Sequence, residues 1–482
     1  MALGGKALHS FSGGTRRHNG KHTVSHGSRD FERECRTTPR KAAHKPSLTR
    51  FVALLLIGLL LGACSLENAD LDSSTPAIIS FEVSPLGVTA GQQTTFIWEV
   101  RGAARATCTL DVDGDGAPDY APDCDGGSQR HTYPSSGIFD AILTVETAQK
   151  RIQEQITTQV QAANETEADF SVLTWRPSTP QPHGVAEAQG LALNGKLYSF
   201  GGFDSTKGCC TPTDRAYVFD PKAEKWTLLA PMPAMNGTKY GGMTHAGIAT
   251  DGESIYFAGG YTASTSGRAQ IFGTREVLRY DPTSDTYARL PDLPVERAAG
   301  QLEYFGGKLY YFGGTNQART EDTGSLYILD LKQGAESWRE GTPLPNPRNH
   351  LGGVVLGGKI FAIAGQHAHD GRLTTQPDVH AYDPKLDSWQ RVASLPLPLS
   401  HIADSSFALG GRIIVVGGEI DHLKPVANIF AYEPQTDTWS ELSSLPIARM
   451  STVADVVNGT IITAGGAGGK RGADTFVATL TD

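Results

Sequence analysis

Four histidines of this 482-residue chain are spaced so that a repeated fold could bring them together. His350 and His401 each stand six residues beyond a leucine that precedes a proline, and His367 and His369 follow one another closely before Asp370. Imidazole is a favoured ligand of zinc and copper, so converging histidines could bind either metal. The alternatives are a polar pocket for a neutral ligand, or side chains that only hydrogen-bond to one another.

A group of acidic residues points to a second candidate metal site. Four aspartates occupy positions 1, 3, 5 and 9 of a calcium-binding loop: Asp111, Asp113, Asp115 and Asp119. Gly116 stands at position 6, where such a loop turns sharply, but Pro122 replaces the glutamate of position 12. The loop could therefore bind calcium as a cofactor or be a solvated acidic hairpin. Cys108 and Cys124 bracket it and are expected to form a disulfide.

The elements that must position the histidines are repeats. Six short β-branched or aromatic runs are each followed by a glycine doublet or its Ala-Gly variant: Gly201-Gly202, Gly259-Gly260, Gly313-Gly314, Ala364-Gly365, Gly417-Gly418 and Gly465-Gly466. The doublets are 48 to 58 residues apart, which is typical of repeat architectures. The run before each doublet, such as Lys308–Phe312, has the length and composition of a buried strand.

The same turn residues follow each doublet in the same order. Asp-Pro or Glu-Pro occurs in four repeats, and Asp330-Leu331 takes that place in another. An aromatic residue then stands six positions before each Leu-Pro or Met-Pro pair: Trp226, Tyr287, Trp338, Trp389 and Trp439. These signals break each repeat into four short strands of an antiparallel meander.

Doublet, Asp-Pro, aromatic residue and Leu-Pro, recurring in this order, resemble the kelch repeat family over residues 168–482. The resemblance implies a β-propeller, and radial closure removes the open edges that a linear stack of sheets would leave. Only one strand, Thr475–Leu480, follows the last doublet, while Trp175 precedes Pro182 by the usual seven residues. We therefore predict an all-β fold with a six-bladed kelch-type propeller, in which the segment around Trp175 completes the last sheet.

In such a blade, the loop before the first strand and the loop after the second strand lie at the same end. This geometry predicts one ligand-binding face that carries the following side chains: Arg297, Arg348, His350, His367, His369, His401, Glu419 and Arg449. The degenerate doublet Ala364-Gly365 leads directly into the histidine-rich loop, which is therefore the first candidate for function.

Residues 1–63 are predicted to be a basic leader and a signal peptide rather than part of the fold. Residues 1–50 contain eleven Lys and Arg against three acids, and residues 51–63 form an apolar run too short to span a bilayer. Leu61-Gly62-Ala63-Cys64 resembles a bacterial lipobox, which implies lipidation of Cys64 and anchoring in the bacterial cell envelope, at the outer membrane or the cell surface. The alternative is an ordinary signal peptide with a chance cysteine.

A linker at residues 64–75 leads to a second predicted module at residues 76–162. Its apolar and polar residues alternate, as in an antiparallel β-sandwich. His131–Tyr133 and Gly137–Val145 resemble the end of a PKD domain, an immunoglobulin-like sandwich. The usual Trp-Asp-Phe-Gly-Asp core of that family is replaced here by residues 110–116.

Charge and cysteine content restrict the partners. The chain has 42 basic and 51 acidic residues, and without residues 1–50 it would retain 31 and 48, a formal charge of −17. Such a surface repels nucleic-acid phosphates, so we exclude nucleic acid as a partner. Cys209 and Cys210 are adjacent and could form a vicinal disulfide or remain exposed thiols.

These features together favour an exported, lipid-anchored binding protein whose propeller recognises a glycan or protein ligand at the cell surface. The kelch resemblance also implies two kinds of enzyme, sialic acid mutarotases and copper oxidases similar to galactose oxidase. A mutarotase needs an acid and a base, which Glu419 with Arg449 or His401 could provide. A copper oxidase needs a Tyr-His pair, which this sequence lacks, and catalysis is the less favoured prediction.

Overall fold

The computed structural model describes residues 76–84, 87–102, 106–124, 126–135, 137–161, 172–208, 210–331, 336–468 and 471–480. The predicted leader, the lipidation residue Cys64 and the linker at 64–75 lie outside these residues. No helix in the described ranges is long and apolar enough to cross a membrane.

The first module is a β-sandwich of two sheets. One sheet contains Ala77–Ser84, Gln93–Arg101 and Gly127–Thr132, and the other contains Gly87–Thr89, Thr107–Asp111, Gly137–Glu146 and Arg151–Gln161. Strict alternation along Gln93–Arg101 buries every second residue, and Phe96 meets Leu110 and Leu143 in a fully buried core. Cys108 and Cys124 form a disulfide, with their Cα atoms 5.3 Å apart. The assignment of this sandwich to the PKD family stays a prediction.

The rest of the described chain forms six four-stranded antiparallel meanders, which we call blades 1 to 6. Blade 1 contains the strands Gln189–Leu193, Lys196–Phe200, Ala216–Asp220 and Lys225–Leu228. Blade 2 contains Gly247–Thr250, Ile255–Ala258, Val277–Asp281 and Thr286–Leu290. Blade 3 contains Gln301–Phe305, Lys308–Phe312, Leu326–Asp330 and Arg339–Gly341. Blade 4 contains Gly352–Leu356, Lys359–Ile363, Val379–Asp383 and Ser388–Val392. Blade 5 contains Ser406–Leu409, Arg412–Val416, Ile429–Glu433 and Thr438–Leu442. Blade 6 contains Val453–Val457, Thr460–Ala464, Thr475–Leu480 and Leu173–Ser178.

Shorter strands and 3-10 turns lie in the loops at one end of the blades. They are the strands Val185–Ala186, Phe203–Asp204, Met243–Thr244, Tyr261–Ala263, Gln270–Ile271, Gln366–His367 and Thr374–Thr375, and the 3-10 turns Asp370–Arg372 and Ala403–Ser405. Several pair the loop before a first strand with the loop after a second strand, as Thr244 pairs with Tyr261 and Ser400 bridges to Glu419. The two sets of loops therefore share one end of the propeller, as the spacing of the doublets predicts.

The blades close into a ring around a central channel. The first strand of each blade contacts the first strand of the next, and that of blade 6 contacts that of blade 1. Blade 6 joins both ends of the domain, because Leu173–Ser178 pairs along its whole length with Thr475–Leu480 and places Trp175 opposite Ala478. This is the pairing that the position of Trp175 predicts.

The repeated tryptophan of blades 1, 3, 4 and 5 joins each of them to the preceding blade. The indole N–H of Trp389 donates to the carbonyl of Thr342 at 2.8 Å, and that of Trp439 to the carbonyl of Ala393 at 2.9 Å. Asp387 accepts the N–H of the same Thr342 at 2.8 Å, so both backbone groups of that residue are satisfied across the blade boundary. The constant spacing of the aromatic residue thus sets the register between neighbouring blades.

The glycine doublets are required by backbone conformation and by close approach. Gly313 and Gly314 have φ values of 70° and 94°, in the left-handed region that glycine adopts without strain. A Cβ atom on Gly314 would lie 2.5 Å from the carbonyl oxygen of Ala298 in the loop before the first strand. Ala364 adopts φ 48° at the one degenerate doublet, although it carries a Cβ atom.

The sandwich contacts the propeller at the end opposite the short decorating strands. Gly306, in the turn after the first strand of blade 3, donates its N–H to Thr157 Oγ1 at 2.6 Å, and the Tyr304 hydroxyl donates to Asp140. Residues of the sandwich and of all six first strands together line a cavity of about 870 Å³. The other end of the channel is surrounded by the loops before the first strands and the loops that follow the doublets.

Candidate functional site

One residue from each blade surrounds the mouth of the channel at the end away from the sandwich. These six residues, which we call the axial ring, are Glu187, His245, Ala299, His350, His401 and Ser451. All six have positive φ values, between 50° and 57°. Four backbone hydrogen bonds of 2.8 to 3.0 Å join consecutive members from His245 to Ser451, each N–H donating to the carbonyl of the preceding member.

Three imidazoles and one carboxylate converge inside the axial ring. The ring centroids of His350 and His401 are 4.1 Å apart, and those of His245 and His350 are 5.0 Å apart. One Glu187 oxygen lies 3.6 Å from Nε2 of His401, and the other lies 3.6 Å from Nε2 of His245. Each histidine places one ring nitrogen within 4.8 Å of the other two.

The second ring nitrogen, Nδ1, of each of these histidines contacts a polar neighbour. The contacts are His245 with Thr244 Oγ1 at 3.0 Å, His350 with Asn349 Oδ1, and His401 with Glu419 Oε1 at 2.8 Å. These neighbours leave the Nε2 atoms as the nitrogens directed at the ring interior. Such contacts orient an imidazole and select its tautomer.

Burial and charge give the three histidines different protonation states. Burial lowers the pKa of His245 and of His350 well below the usual value, and both imidazoles are neutral. Burial acts in the same direction on His401, but the carboxylates of Glu419 and Glu187 outweigh it and raise its pKa to about 9. Burial also raises the pKa of Glu187. His401 is therefore the cation of the group, held between two acids.

The space enclosed by the axial ring is small. Its volume is about 20 Å³, enough for one water molecule or one ion. A sugar ring or a side chain of a partner does not fit there. A larger ligand must bind outside the ring.

Loops of three blades meet just outside the axial ring in an outer patch formed by Tyr261, Phe272, Arg319 and Asp370. The guanidinium of Arg319 lies 4.9 Å from the ring centre of Phe272 and 6.0 Å from that of Tyr261. It also pairs with Asp370 at 3.0 Å, and the Asp370 side chain is 70% exposed. Tyr261 in turn stacks on His245, with ring centroids 4.3 Å apart. The outer patch and the axial ring are therefore in contact.

The structure brings together only some of the residues predicted to bind a ligand. His350 and His401 are adjacent, and His369 lies near them, its ring 5.8 Å from that of His350. His367 does not join the cluster, because its Nε2 is occupied 2.8 Å from Asn346 Oδ1. Glu419 is buried behind His401 and supports that imidazole rather than facing a ligand.

None of the three predicted arginines lines the pocket inside the axial ring. Arg348 is fully buried, and its guanidinium donates to backbone carbonyls that include those of Ala362 and Asp378, so its prediction as a binding residue is wrong. Arg297 donates to the neighbouring carbonyl of Glu296 at 3.0 Å, and Arg449 pairs with Asp474. All three stand four residues beyond the leucine of their repeat, a position that faces the neighbouring loop instead of the axis.

Two members of the site, Glu187 and His245, are not among the residues predicted from the sequence. His350, His401 and Ser451 each stand six residues beyond the repeated leucine, whereas His245 stands thirteen residues beyond Met232 because the loop between them is longer. Glu187 stands six residues beyond Gln181, which occupies the leucine position. Counting from that position would have found Glu187, while His245 is marked only by lying two residues before a first strand.

The acidic loop of the sandwich is only partly arranged as a calcium site. Carboxylate oxygens of Asp111, Asp113 and Asp115 lie within 4.8 Å of one another. Both oxygens of Asp111 accept backbone N–H groups, and Asp119 accepts the N–H of Val112 at 2.8 Å. Calcium binding stays a prediction. In the other predicted cysteine pair, Cys210 is disulfide-bonded, and Cys209 lies outside the described residues.

Buried acids line the channel between the axial ring and the sandwich. Burial raises the pKa of Glu303 to about 8, helped by the nearby charge of Asp455, and burial raises that of Asp455 to about 6. Asp404 lies half-buried between them and the axial ring, and desolvation raises its pKa well above the usual value. With its pKa at about 8, the Glu303 carboxyl group is mostly protonated at neutral pH.

Glu303→Gln is expected to remove a pH dependence of stability. Between pH 4.5 and 8 the unfolded chain releases the Glu303 proton while the folded chain retains it, so the free energy of unfolding of the wild type falls as pH rises. The slope approaches about 1.4 kcal/mol per pH unit for one such group. Urea denaturation at several pH values measures it, with exposed Glu340→Gln of the same blade as control. Equal slopes in wild type and Glu303→Gln would contradict this assignment.

Comparison with known proteins shows which repeats the propeller contains. Residues 290–466 match the KLHDC2/KLHL20/DRC7 Kelch-repeats domain, and residues 187–233 match the Kelch motif. The chain therefore contains a kelch-repeat β-propeller. The all-β fold and the kelch repeats predicted from the sequence are confirmed.

The chain is similar to kelch-like proteins and to enzymes. Kelch-like protein terF of Aspergillus terreus is 26% identical over 249 residues, which are 51% of this chain and 52% of that protein. N-acetylneuraminate epimerase of Pasteurella multocida is 26% identical over 310 residues, or 53% of this chain and 80% of the enzyme. A solved structure titled "Structure of YjhT" is 19% identical, with a TM-score of 0.49, over 63% of this chain and 97% of its own. The chain thus spans about half the length of terF.

Proposed function

We propose that this protein is an exported, lipid-anchored binding protein of a bacterial cell envelope, whose propeller captures a glycan or protein ligand. The observation that carries the proposal is the outer patch, where loops of blades 2, 3 and 4 place aromatic rings, a guanidinium and an exposed carboxylate side by side. Aromatic residues and arginine dominate binding energy at protein surfaces. The small volume of the axial ring supports binding on the outside rather than inside the channel.

Screening of the purified protein against a glycan array and in pull-down experiments tests this proposal. Arg319→Ala and Asp370→Ala are expected to weaken capture at least tenfold, because each removes half of the exposed ion pair beside the aromatic rings. The matched control is Asp421→Ala/Lys424→Ala, which removes another exposed ion pair from a loop after a doublet. Capture that is equally weakened by the control, or by neither change, would contradict binding at the outer patch.

Lipidation of Cys64 is the part of the proposal that concerns location. Cys64→Ala is expected to abolish incorporation of radiolabelled lipid and to release the protein from the membrane fraction. The lipobox resemblance of residues 61–64 and the apolar run before it support this expectation. A Cys64→Ala protein that still carries label would exclude this residue as the anchor.

A sugar-active enzyme is the second candidate, favoured by the similarity to N-acetylneuraminate epimerase over 80% of that enzyme. Glu187 and His401 form an acid–base pair inside the axial ring, 3.6 Å apart. Because the ring encloses only about 20 Å³, a sugar would reach this pair only after the mouth opened. Acceleration of N-acetylneuraminate anomer exchange, followed by NMR and lost in Glu187→Gln, would support the enzyme over the binding protein.

A further inference from the structure

We infer that the axial ring binds one divalent transition-metal ion such as Zn²⁺, with Nε2 of His245, His350 and His401 and the carboxylate of Glu187 as ligands. Three imidazoles and a carboxylate are a donor set that suits zinc and its first-row neighbours. The inference concerns the ring alone and does not depend on the ligand of the outer patch.

The separations within the ring are close to those of a coordinated ion. Two ligands at about 2.1 Å from a tetrahedral zinc lie about 3.4 Å apart. Glu187 already lies 3.6 Å from Nε2 of both His245 and His401. The three histidine nitrogens lie within 4.8 Å of one another. Side-chain rotations that move each nitrogen by about 1 Å would therefore place all three around one ion.

The neighbours of the histidines have the arrangement that metal-binding imidazoles require. A ligating histidine usually donates its second ring N–H to a carboxylate or another oxygen, which fixes the tautomer and directs the free nitrogen at the metal. Here all three Nδ1 atoms contact such an oxygen, from a hydroxyl at His245, an amide at His350 and the Glu419 carboxylate at His401. The same nitrogen, Nε2, thereby faces the ion in all three blades, and His401 releases its Nε2 proton to solvent when the ion binds.

The size and rigidity of the pocket also fit an ion. Its volume of about 20 Å³ matches a single ion or water. Each ligand stands on a backbone segment of the axial ring, where hydrogen bonds between blades hold His350 to Ala299 and His401 to His350. A ligand set whose main chain is held in four different blades is preorganised, because only side-chain rotation remains to bring the ligands onto the ion.

The test is a titration of the chelator-treated full chain with Co²⁺ and then Zn²⁺. We expect one equivalent of Co²⁺ per chain to give the intense visible absorption of a four- or five-coordinate ion, and Zn²⁺ to displace it. His245→Gln and His350→Gln are expected to weaken binding at least 100-fold, and Glu187→Gln and Glu419→Gln about 10- to 100-fold. Thermal melts of each variant without metal check that it folds.

Two controls separate this site from other metal-binding groups of the chain. His367→Gln removes a histidine of the neighbouring loop that bonds to Asn346, and it should leave the Co²⁺ spectrum and affinity unchanged. Asp113→Asn alters the acidic loop of the sandwich and should also have no effect. If a histidine variant does not fold, Glu419→Gln serves in its place, since it leaves every ligand present.

Three results would overturn the inference. One is a wild-type chain that shows no intense cobalt band. Another is cobalt binding that survives with wild-type affinity in folded His245→Gln and His350→Gln. The third is loss of binding in the His367→Gln control, which would place the ion in the histidine-rich loop instead. The axial ring would then be a charge network in which His401 lies between Glu187 and Glu419.

Discussion

Removal of residues 168–178 is expected to abolish the cooperative unfolding of the propeller, because these residues supply the strand that closes blade 6. Leu173–Ser178 pairs over six positions with Thr475–Leu480. Its loss would leave Thr475–Leu480 as an unpaired edge strand. It would also remove the buried side chain of Leu173 and expose the core that Leu173 shares with Ile414 and Ala478. The expected loss, about 5 kcal/mol or more, is comparable with the net stability of a typical domain.

Thermal melting and urea denaturation measure this loss, and point variants in the same strand refine it. Leu173→Asp should destabilise strongly, since it buries a charge in the core between blades. Arg176→Ala is the matched control on the exposed side, where an ion pair with Glu224 contributes about 1 kcal/mol at most. A deletion variant that melts at the wild-type temperature would show that the ring closes without this strand.

Arg348→Met is expected to lower the free energy of unfolding by about 3–5 kcal/mol, since it leaves buried carbonyls without a donor. The guanidinium donates to the carbonyls of Ala364, Ala362, Asp378, Asn346 and Pro345. These carbonyls belong to loops and strands of blade 4, so the side chain acts as an internal clamp of that blade. Denaturation with urea measures the change.

The chain provides matched controls for this substitution. Arg297 and Arg449 stand at the same position of their repeats, but both are only partly buried. Arg297→Met is expected to cost about 1 kcal/mol or less, because its partner Glu296 is exposed to water, and Arg449→Met, whose side chain is 11% exposed, is expected to cost less than Arg348→Met. An Arg348→Met protein that melts like the wild type but loses ligand capture would restore the binding role that the sequence predicted for this arginine.

These arginines also show how far the sequence can predict the site. Doublets, tryptophans and prolines recur because they set strand ends and blade contacts, so their spacing predicts the kelch fold and the role of Trp175. The face on which His350 and His401 meet follows from the same spacing. Whether an arginine at that face points outward depends on packing, which is why Arg348 was misplaced.

Glu187 and His245 of the axial ring could not be predicted from the sequence for a different physical reason. His245 and Glu187 join His350 and His401 only because the blades close around an axis, and closure is a property of three-dimensional contacts rather than of spacing. The loop before His245 is longer than its counterparts, which hides the equivalence along the chain. Residues in different blades thus become neighbours although more than 50 positions separate them in sequence.

The four hydrogen bonds that join His245, Ala299, His350, His401 and Ser451 in the axial ring use only main-chain atoms, so they do not depend on which side chains these positions carry. Any residue that tolerates a left-handed conformation, such as asparagine, aspartate, histidine, serine or glycine, could occupy a position without breaking the bonds between blades. Ala299 and Ser451 already stand there beside three histidines and a glutamate. Substitutions at these five positions could therefore change the chemistry at the mouth of the channel, in evolution or by engineering, while the hydrogen bonds between blades stay intact.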